Sequence, residues 1–174
     1  MGLDMYLYAR KHEYSSGFYK TKGSKLKFNY PKDIVECFPE YSDEANDNLP
    51  DDKKWSDRRA VKQDTFYEIG YWRKANQIHN FFVEKCAEGV DQCQPIYVDE
   101  DELQELLDNC NYALENKDRA KEILPTRSGF FFGGTDYDEY YYEDLKHTVD
   151  IVEKALKLIR NTDCKYDIIY QASW

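Results

Sequence analysis

The sequence predicts an α+β domain, with about three main helices packed on a small, mainly antiparallel sheet that includes the N- and C-terminal strands. Three observations carry this reading. Short apolar stretches with strand character stand near both ends of the chain. Between them, three stretches repeat their apolar residues at helical spacing. No internal repeat divides the 174 residues, so residues 1–174 are expected to form one globular domain with a sizeable core.

The elements follow in order. Leu3, Met5 and Leu7 alternate with polar and aromatic neighbours, which places them on one face of a first strand. Ser15-Ser16-Gly17 and Lys22-Gly23-Ser24 read as turns of a basic hairpin, with 27–30 as a returning strand and a helical turn over 31–38. Residues 39–57 are rich in Pro, Asp, Asn and Ser and have few apolar anchors. They are expected to form a long exposed acidic loop, a candidate for disorder or for a ligand lid.

Residues 66–72 lead into a first helix that runs through Cys86. Tyr71, Ala75, Ile78, Phe82 and Cys86 recur at helical spacing along its core face, and Gly89 ends it. Residues 96–98 make a short strand. Asp99 caps a second helix, with Glu102 three residues on as its capping-box partner. Leu103, Leu106, Leu107, Cys110 and Leu114 form the buried stripe of that helix. Pro125 closes a further helical turn. Gly133-Gly134 then turns the chain, and Thr135 or Asp136 caps a third helix that reaches about Arg160. Its stripe of Leu145, Val149, Val152, Leu156 and Ile159 continues backwards to Tyr141 and Tyr142. Residues 165–171 form the last strand, which is expected to pair with the first.

Composition bounds the function. The net charge of −10 argues against a general nucleic-acid binder. The charge is uneven, however. Residues 10–27 carry Arg10, Lys11, Lys20, Lys22, Lys25 and Lys27 against Glu13 alone, whereas 91–108 carry acids and no Lys or Arg. No apolar stretch is long enough to span a membrane, and no secretory leader stands at Met1, so a cytoplasmic protein is expected. The 5 cysteines form no CxxC pair and read as reduced thiols. The 16 tyrosines suit either a core with polar handles or a surface that stacks flat rings, and both readings stay open.

Three blocks and the chain end carry a resemblance: MGLDMYL at 1–7, YWRKANQIH at 71–79, LPTRSGFFFGGTDYDEYYYEDL at 124–145 and YQASW at 170–174. They resemble a family of small bacteriophage and prophage proteins across nearly the whole chain. The resemblance implies a protein of the host cytosol and transfers no catalytic residue.

Two constellations stand out as a candidate site. In the first, Trp72, Arg73, Asn76, Gln77, His79 and Asn80 combine aromatic, cationic and amide groups on one helix. Such a set suits a base-and-phosphate ligand, by ring stacking, amide contacts to the base edge and a bidentate grip on phosphate. It suits an ordinary helix edge equally. In the second, Arg127, Ser128 and Thr135, with the glycines between them and Tyr137 beyond, resemble an anion cradle ahead of a helix start. Asp136, Asp138 and Glu139 crowd that helix start and complement its dipole instead. Asp136, Asp138, Glu139, Glu143 and Asp144 do not have EF-hand spacing, so no metal site is assigned. His12, His79 and His147 accompany no known catalytic motif, so no catalytic residue and no cofactor is assigned.

The expected function is a phage accessory protein that binds and sequesters a small anionic aromatic ligand, such as a nucleotide-derived host defence signal. Two alternatives are an acidic inhibitor that docks on a host protein as a nucleic-acid mimic, and a hydrolase of the same signal. The expected partners are a nucleotide-like ligand, a host protein or a second copy of the chain, without a membrane.

Overall fold

The structure, a computed structural model, describes residues 2–15, 36, 37, 39, 48, 61–162 and 165–174. The chain divides into two compact units, residues 1–11 with 65–174 and residues 12–64. In the second unit the described residues are chiefly strand ends, where His12 pairs with Asp64. The expected turn at 22–24 and return strand at 27–30 lie outside the described residues. So do the helical turn at 31–38, apart from Glu36 and Cys37, and the acidic loop at 39–57, apart from Pro39 and Asn48.

The fold is α+β. Strands β1 (Asp4–Ser15), β2 (Val61–Arg73), β3 (Ile96–Val98) and β4 (Asp167–Ser173) form one sheet in the order β2-β1-β4-β3. The terminal strands pair antiparallel in the middle of the sheet, from Asp4 opposite Ser173 to Arg10 opposite Asp167. β3 adds to β4 antiparallel, with Tyr97 opposite Ile169. This register puts Met5, Leu7, Ala9, Ile96, Val98, Ile168, Tyr170 and Ala172 on one face, all buried.

The helices among the described residues are α1 (Asn76–Phe81), α2 (Glu100–Glu115), α3 (Ala120–Ile123) and α4 (Glu139–Asn161). α1 continues as one π-helical turn over Phe82–Cys86, and the Gly89 N–H closes it by donating to the Val83 carbonyl at 2.9 Å. At α2 both capping-box bonds are made. Glu102 N–H donates to Asp99 at 2.8 Å, and Asp99 N–H donates to Glu102 at 2.9 Å. Leu103, Leu106, Cys110 and Ala113 are buried, with Leu107 and Leu114 on the flank. α3 stops before Pro125, as expected.

Two expectations need correction. Residues 61–73 are a β-strand, so the first helix starts at Asn76. Trp72 therefore lies on β2, only 2% exposed, and not on a helix flank, while Tyr71 points outward. The break is at Lys74, whose φ of 62° is left-handed and ends the extended run. The third helix starts later than Thr135 or Asp136, because tertiary bonds hold the chain non-helical. Thr126 Oγ1 donates to the Thr135 carbonyl at 3.2 Å, and Thr126 N–H donates to Tyr137 Oη at 3.1 Å. Asp138 is the cap and accepts from Tyr141 N–H at 3.2 Å.

The tyrosines take both roles. Tyr141 and Tyr170 are core rings with hydroxyl partners, and Tyr141 Oη donates to the Leu124 carbonyl at 2.8 Å. Tyr6, Tyr8, Tyr71 and Tyr97 line the opposite face of the sheet. There Tyr6 stacks on Tyr8 at 5.8 Å, and Arg10 lies over Tyr97 at 4.7 Å. No helix among the described residues is long and apolar enough to cross a membrane.

Candidate functional site

A cleft of about 360 Å³ opens where the end of β2, the start of α1, the loop 125–138 and the start of α4 meet. Its floor is built by two amides that the core fixes. Asn76 is buried and pins the loop. Its Nδ2 donates to the carbonyls of Phe132 at 3.1 Å and Gly134 at 2.7 Å, and its Oδ1 accepts from Arg127 N–H at 2.9 Å. Gln77 is 2% exposed and donates from Nε2 to Asp144 Oδ2 at 3.2 Å.

Arg73 and Lys74 supply the positive charge at the cleft. The left-handed conformation of Lys74 is unusual for a residue with a side chain and costs on the order of 1–3 kcal/mol. Its N–H donates to the Leu3 carbonyl at 2.8 Å, and Asn76 N–H donates to the Lys74 carbonyl at 2.8 Å, so its surroundings impose the geometry. Gly133 faces it with a φ of 90°, and a Cβ there would come within 3.1 Å of Lys74 Cβ. Gly134 has open space around it, so only the first glycine of the pair is sterically required.

The far wall comes from α4 and its approach: Asp136, Asp138, Glu143 and Asp144, with Tyr140 and Tyr141. Tyr140 is 75% exposed at the helix start, whereas Tyr141 belongs to the core. Burial raises the pKa of Asp144, and the Gln77 hydrogen bond opposes that shift. Four carboxylates stand against two cations, so the cleft is net negative, with its positive charge confined to Arg73 and Lys74.

Of the two expected constellations, Arg73, Asn76 and Gln77 line this cleft. Arg127 shapes its loop, but its guanidinium turns to Glu84 at 3.1 Å, Asn80 at 3.3 Å and Asp91 at 3.7 Å. Ser128 and Thr135 are exposed loop residues. Tyr137 packs at a tilt against Tyr141, with ring centres 4.8 Å apart, and borders a separate depression with Lys117, Tyr142 and Lys146.

Trp72 and His79 lie beneath the surface. Trp72 Nε1 donates to Thr148 Oγ1 at 2.9 Å, which locks β2 to α4. His79 is 1% exposed, with Nδ1 2.7 Å from Tyr170 Oη and Nε2 3.1 Å from Asp91 Oδ2. Burial lowers its pKa against the opposing pull of Asp91. Burial also raises the pKa of Tyr170, of Cys86 (beside Glu102) and of Cys110, the last to about 12. Neither of those thiols is poised as a thiolate.

Among the described residues, no three His, Cys, Asp or Glu side chains converge as metal ligands do. The acids of 91–108 are largely committed within the fold. Glu100 meets Arg160 at 2.7 Å, Glu105 meets Lys85 at 2.5 Å, and Asp99 and Glu102 cap α2. Sequence reasoning did not place Lys74 in the site and set Asp144 among metal candidates. For Lys74 the signal was the chain break between an alternating strand and an amide-rich helix start, whereas no local signal marked Asp144. Comparison with protein-family profiles, curated proteins and solved structures finds no match.

Proposed function

We propose that this chain binds and sequesters a small anionic aromatic ligand in the cleft between β2, α1 and α4, acting as a phage accessory protein against a nucleotide-derived host signal. The observation that supports it is the left-handed Lys74 beside Arg73, set above two buried amides. The left-handed residue turns β2 into α1, a position usually given to Gly or Asn, and a cation kept there at a cleft supports a ligand clamp, where such strain clusters. In this reading Arg73 and Lys74 take the anionic group, Gln77 and Asp144 meet polar donors, and Tyr140 covers the ring. His79 is not available for proton transfer in this reading, because both its nitrogens are engaged in the core.

The test is native mass spectrometry of protein purified from cells, followed by calorimetry with mono-, di- and cyclic nucleotides. A 1:1 ligand recovered intact is expected. Arg73→Ala should weaken its binding by about 1.5–3 kcal/mol, the range for charge-assisted hydrogen bonds. Absence of any bound or titratable nucleotide would sink the proposal, and a recovered hydrolysis product would move the reading to catalysis.

A further inference from the structure

The geometry points to the outer face of the sheet as a docking surface for an arginine-bearing segment of a partner protein, with the rings of Tyr6, Tyr8 and Tyr71 and the carboxylates of Asp4 and Glu68 as its contacts. This proposal does not use the cleft. Met5, Leu7 and Ala9 are buried in the core, so Asp4, Tyr6, Tyr8 and Arg10 alternate onto the other side of β1. There the rings form one connected array. Tyr6 lies near-parallel to Tyr8, with planes 14° apart and centres 5.8 Å apart. Tyr71 leans on Tyr6 at 5.3 Å, and Phe66 meets Tyr8 edge-on at 6.2 Å. Phe66 and Tyr71 are exposed, and Tyr6 and Tyr8 are half-buried. Carboxylates stand among these rings. Tyr71 Oη donates to Asp4 Oδ1 at 2.6 Å. Burial, and then the charge of Glu68, raise the pKa of the Tyr8 hydroxyl.

The same face already holds one guanidinium in this way. Arg10 lies over the Tyr97 ring at 4.7 Å while its Nη2 donates to Asp167 Oδ2 at 2.6 Å, so a ring and a carboxylate share one cation. Tyr6, Tyr8 and Tyr71 with Asp4 and Glu68 repeat that composition without the cation, since neither carboxylate forms an ion pair with a described residue. Charge decides among the possible occupants. A second copy packed across a two-fold axis would set the patch against itself and bring carboxylates toward carboxylates. Single-stranded nucleic acid stacks on such rings, but it would bring phosphates toward Asp4 and Glu68. The faces of aromatic rings are electron-rich, so rings and carboxylates attract the same cation. A guanidinium suits them better than an ammonium, because its plane stacks on a ring while its edge meets a carboxylate. Two arginines separated by one residue match the array. Alternate side chains of an extended segment lie about 6.5–7 Å apart, close to the 5.8 Å between the Tyr6 and Tyr8 centres.

The experiment is calorimetry of the whole chain with a short peptide carrying two arginines separated by one serine, with its lysine counterpart and with oligothymidylate, together with sedimentation of the chain alone. The arginine peptide should bind at least about threefold more tightly than the lysine peptide. Tyr6→Leu with Tyr8→Leu keeps the charge and the apolar bulk. This pair should weaken the arginine peptide by about tenfold, the loss of two exposed ring–cation contacts, with a melting transition that stays cooperative. Asp4→Asn with Glu68→Gln should weaken it by about the same factor. Asp101→Asn with Glu153→Gln removes the same charge from exposed positions on α2 and α4. It should change the affinity by less than about twofold, which separates docking on this face from general attraction to an acidic protein. Unchanged affinity in the tyrosine pair would overturn the assignment, and so would unchanged affinity in the Asp4 and Glu68 pair, which decides the matter if the tyrosine pair does not fold. Oligothymidylate binding or a dimer, either one lost in these variants, would give the face to nucleic acid or to a second copy instead. No binding of the arginine peptide would also overturn it.

Discussion

His79 shows how a single position misleads. Its neighbours Trp72, Arg73 and Asn76 suggest a ligand-facing group, but the ring sits between Asp91 and Tyr170, with Phe132 on edge at 5.1 Å. Nothing in a linear sequence says that residue 170 will return beside residue 79. The consequence is a pH effect. The folded-state pKa of His79 is depressed, so the unfolded chain takes the proton first as pH falls. Its contribution to stability is present above the ordinary imidazole value of about 6.5 and is lost as pH falls through the lower folded value. The melting temperature should therefore decline from pH 8 to pH 5.5, and His79→Gln should flatten that slope while lowering the whole curve. An equal slope in both proteins would contradict this reading.

Gly70 is the second residue with a sharp consequence. A Cβ there would lie 2.6 Å from Ile151 Cγ2 and 3.3 Å from Leu7 Cβ, because α4 crosses β2 at that point. Gly70→Ala should destabilise by about 1–3 kcal/mol, the usual cost of overpacking. Adding Ile151→Ala should recover part of the loss, which a double-mutant cycle of denaturant midpoints would measure. Additive effects would mean the contact is absent.

At the scale of elements, α2 and α4 were the most legible. Both carry long apolar periods, and the expected Asp99 cap of α2 is present, whereas α4 is capped by Asp138 in place of Thr135 or Asp136. The start of α1 was not legible. Tyr71, Ala75 and Ile78 stand at helical spacing, although Tyr71 is on the strand and Ala75 is in the turn after Lys74. A left-handed lysine gives no compositional warning, since Gly or Asn usually occupies such a position. The seam of α4 holds Tyr141, Leu145, Val152, Leu156 and Ile159 as expected and widens to Thr148, Ile151 and Ala155, while Val149 is only half-buried. Leu156→Asp should then unfold or aggregate the protein, because an unpaired buried charge costs several kcal/mol, about the whole stability of a domain. Val149→Asp should remain folded with a lowered melting temperature. The reverse ranking would place the helix in another register.

For the whole molecule, the closure of the sheet by its two termini was visible in the apolar stretches at both ends. β4 is interior and is bonded to both β1 and β3, so its buried Ile168, Tyr170 and Ala172 bind the two sides of the sheet together. Removing residues 167–174 should abolish cooperative unfolding, whereas a chain that still melted sharply would show that the sheet does not need its central strand. The cleft was only partly legible, because it gathers side chains from residues 73–77 and 126–144 through an Asn76 clamp that no local pattern encodes.

The most direct measurement compares Lys74→Gly with the unaltered chain by melting and by calorimetric titration against the nucleotide panel. Glycine relieves the left-handed strain, so the variant should melt at the same temperature or higher. It also removes the cation, so nucleotide binding should weaken by about tenfold or more. A gain in stability with a loss of binding is the trade expected of a residue strained for ligand recognition. A variant that binds its nucleotide as tightly as the unaltered chain, or an unaltered chain that binds no nucleotide at all, would contradict the account.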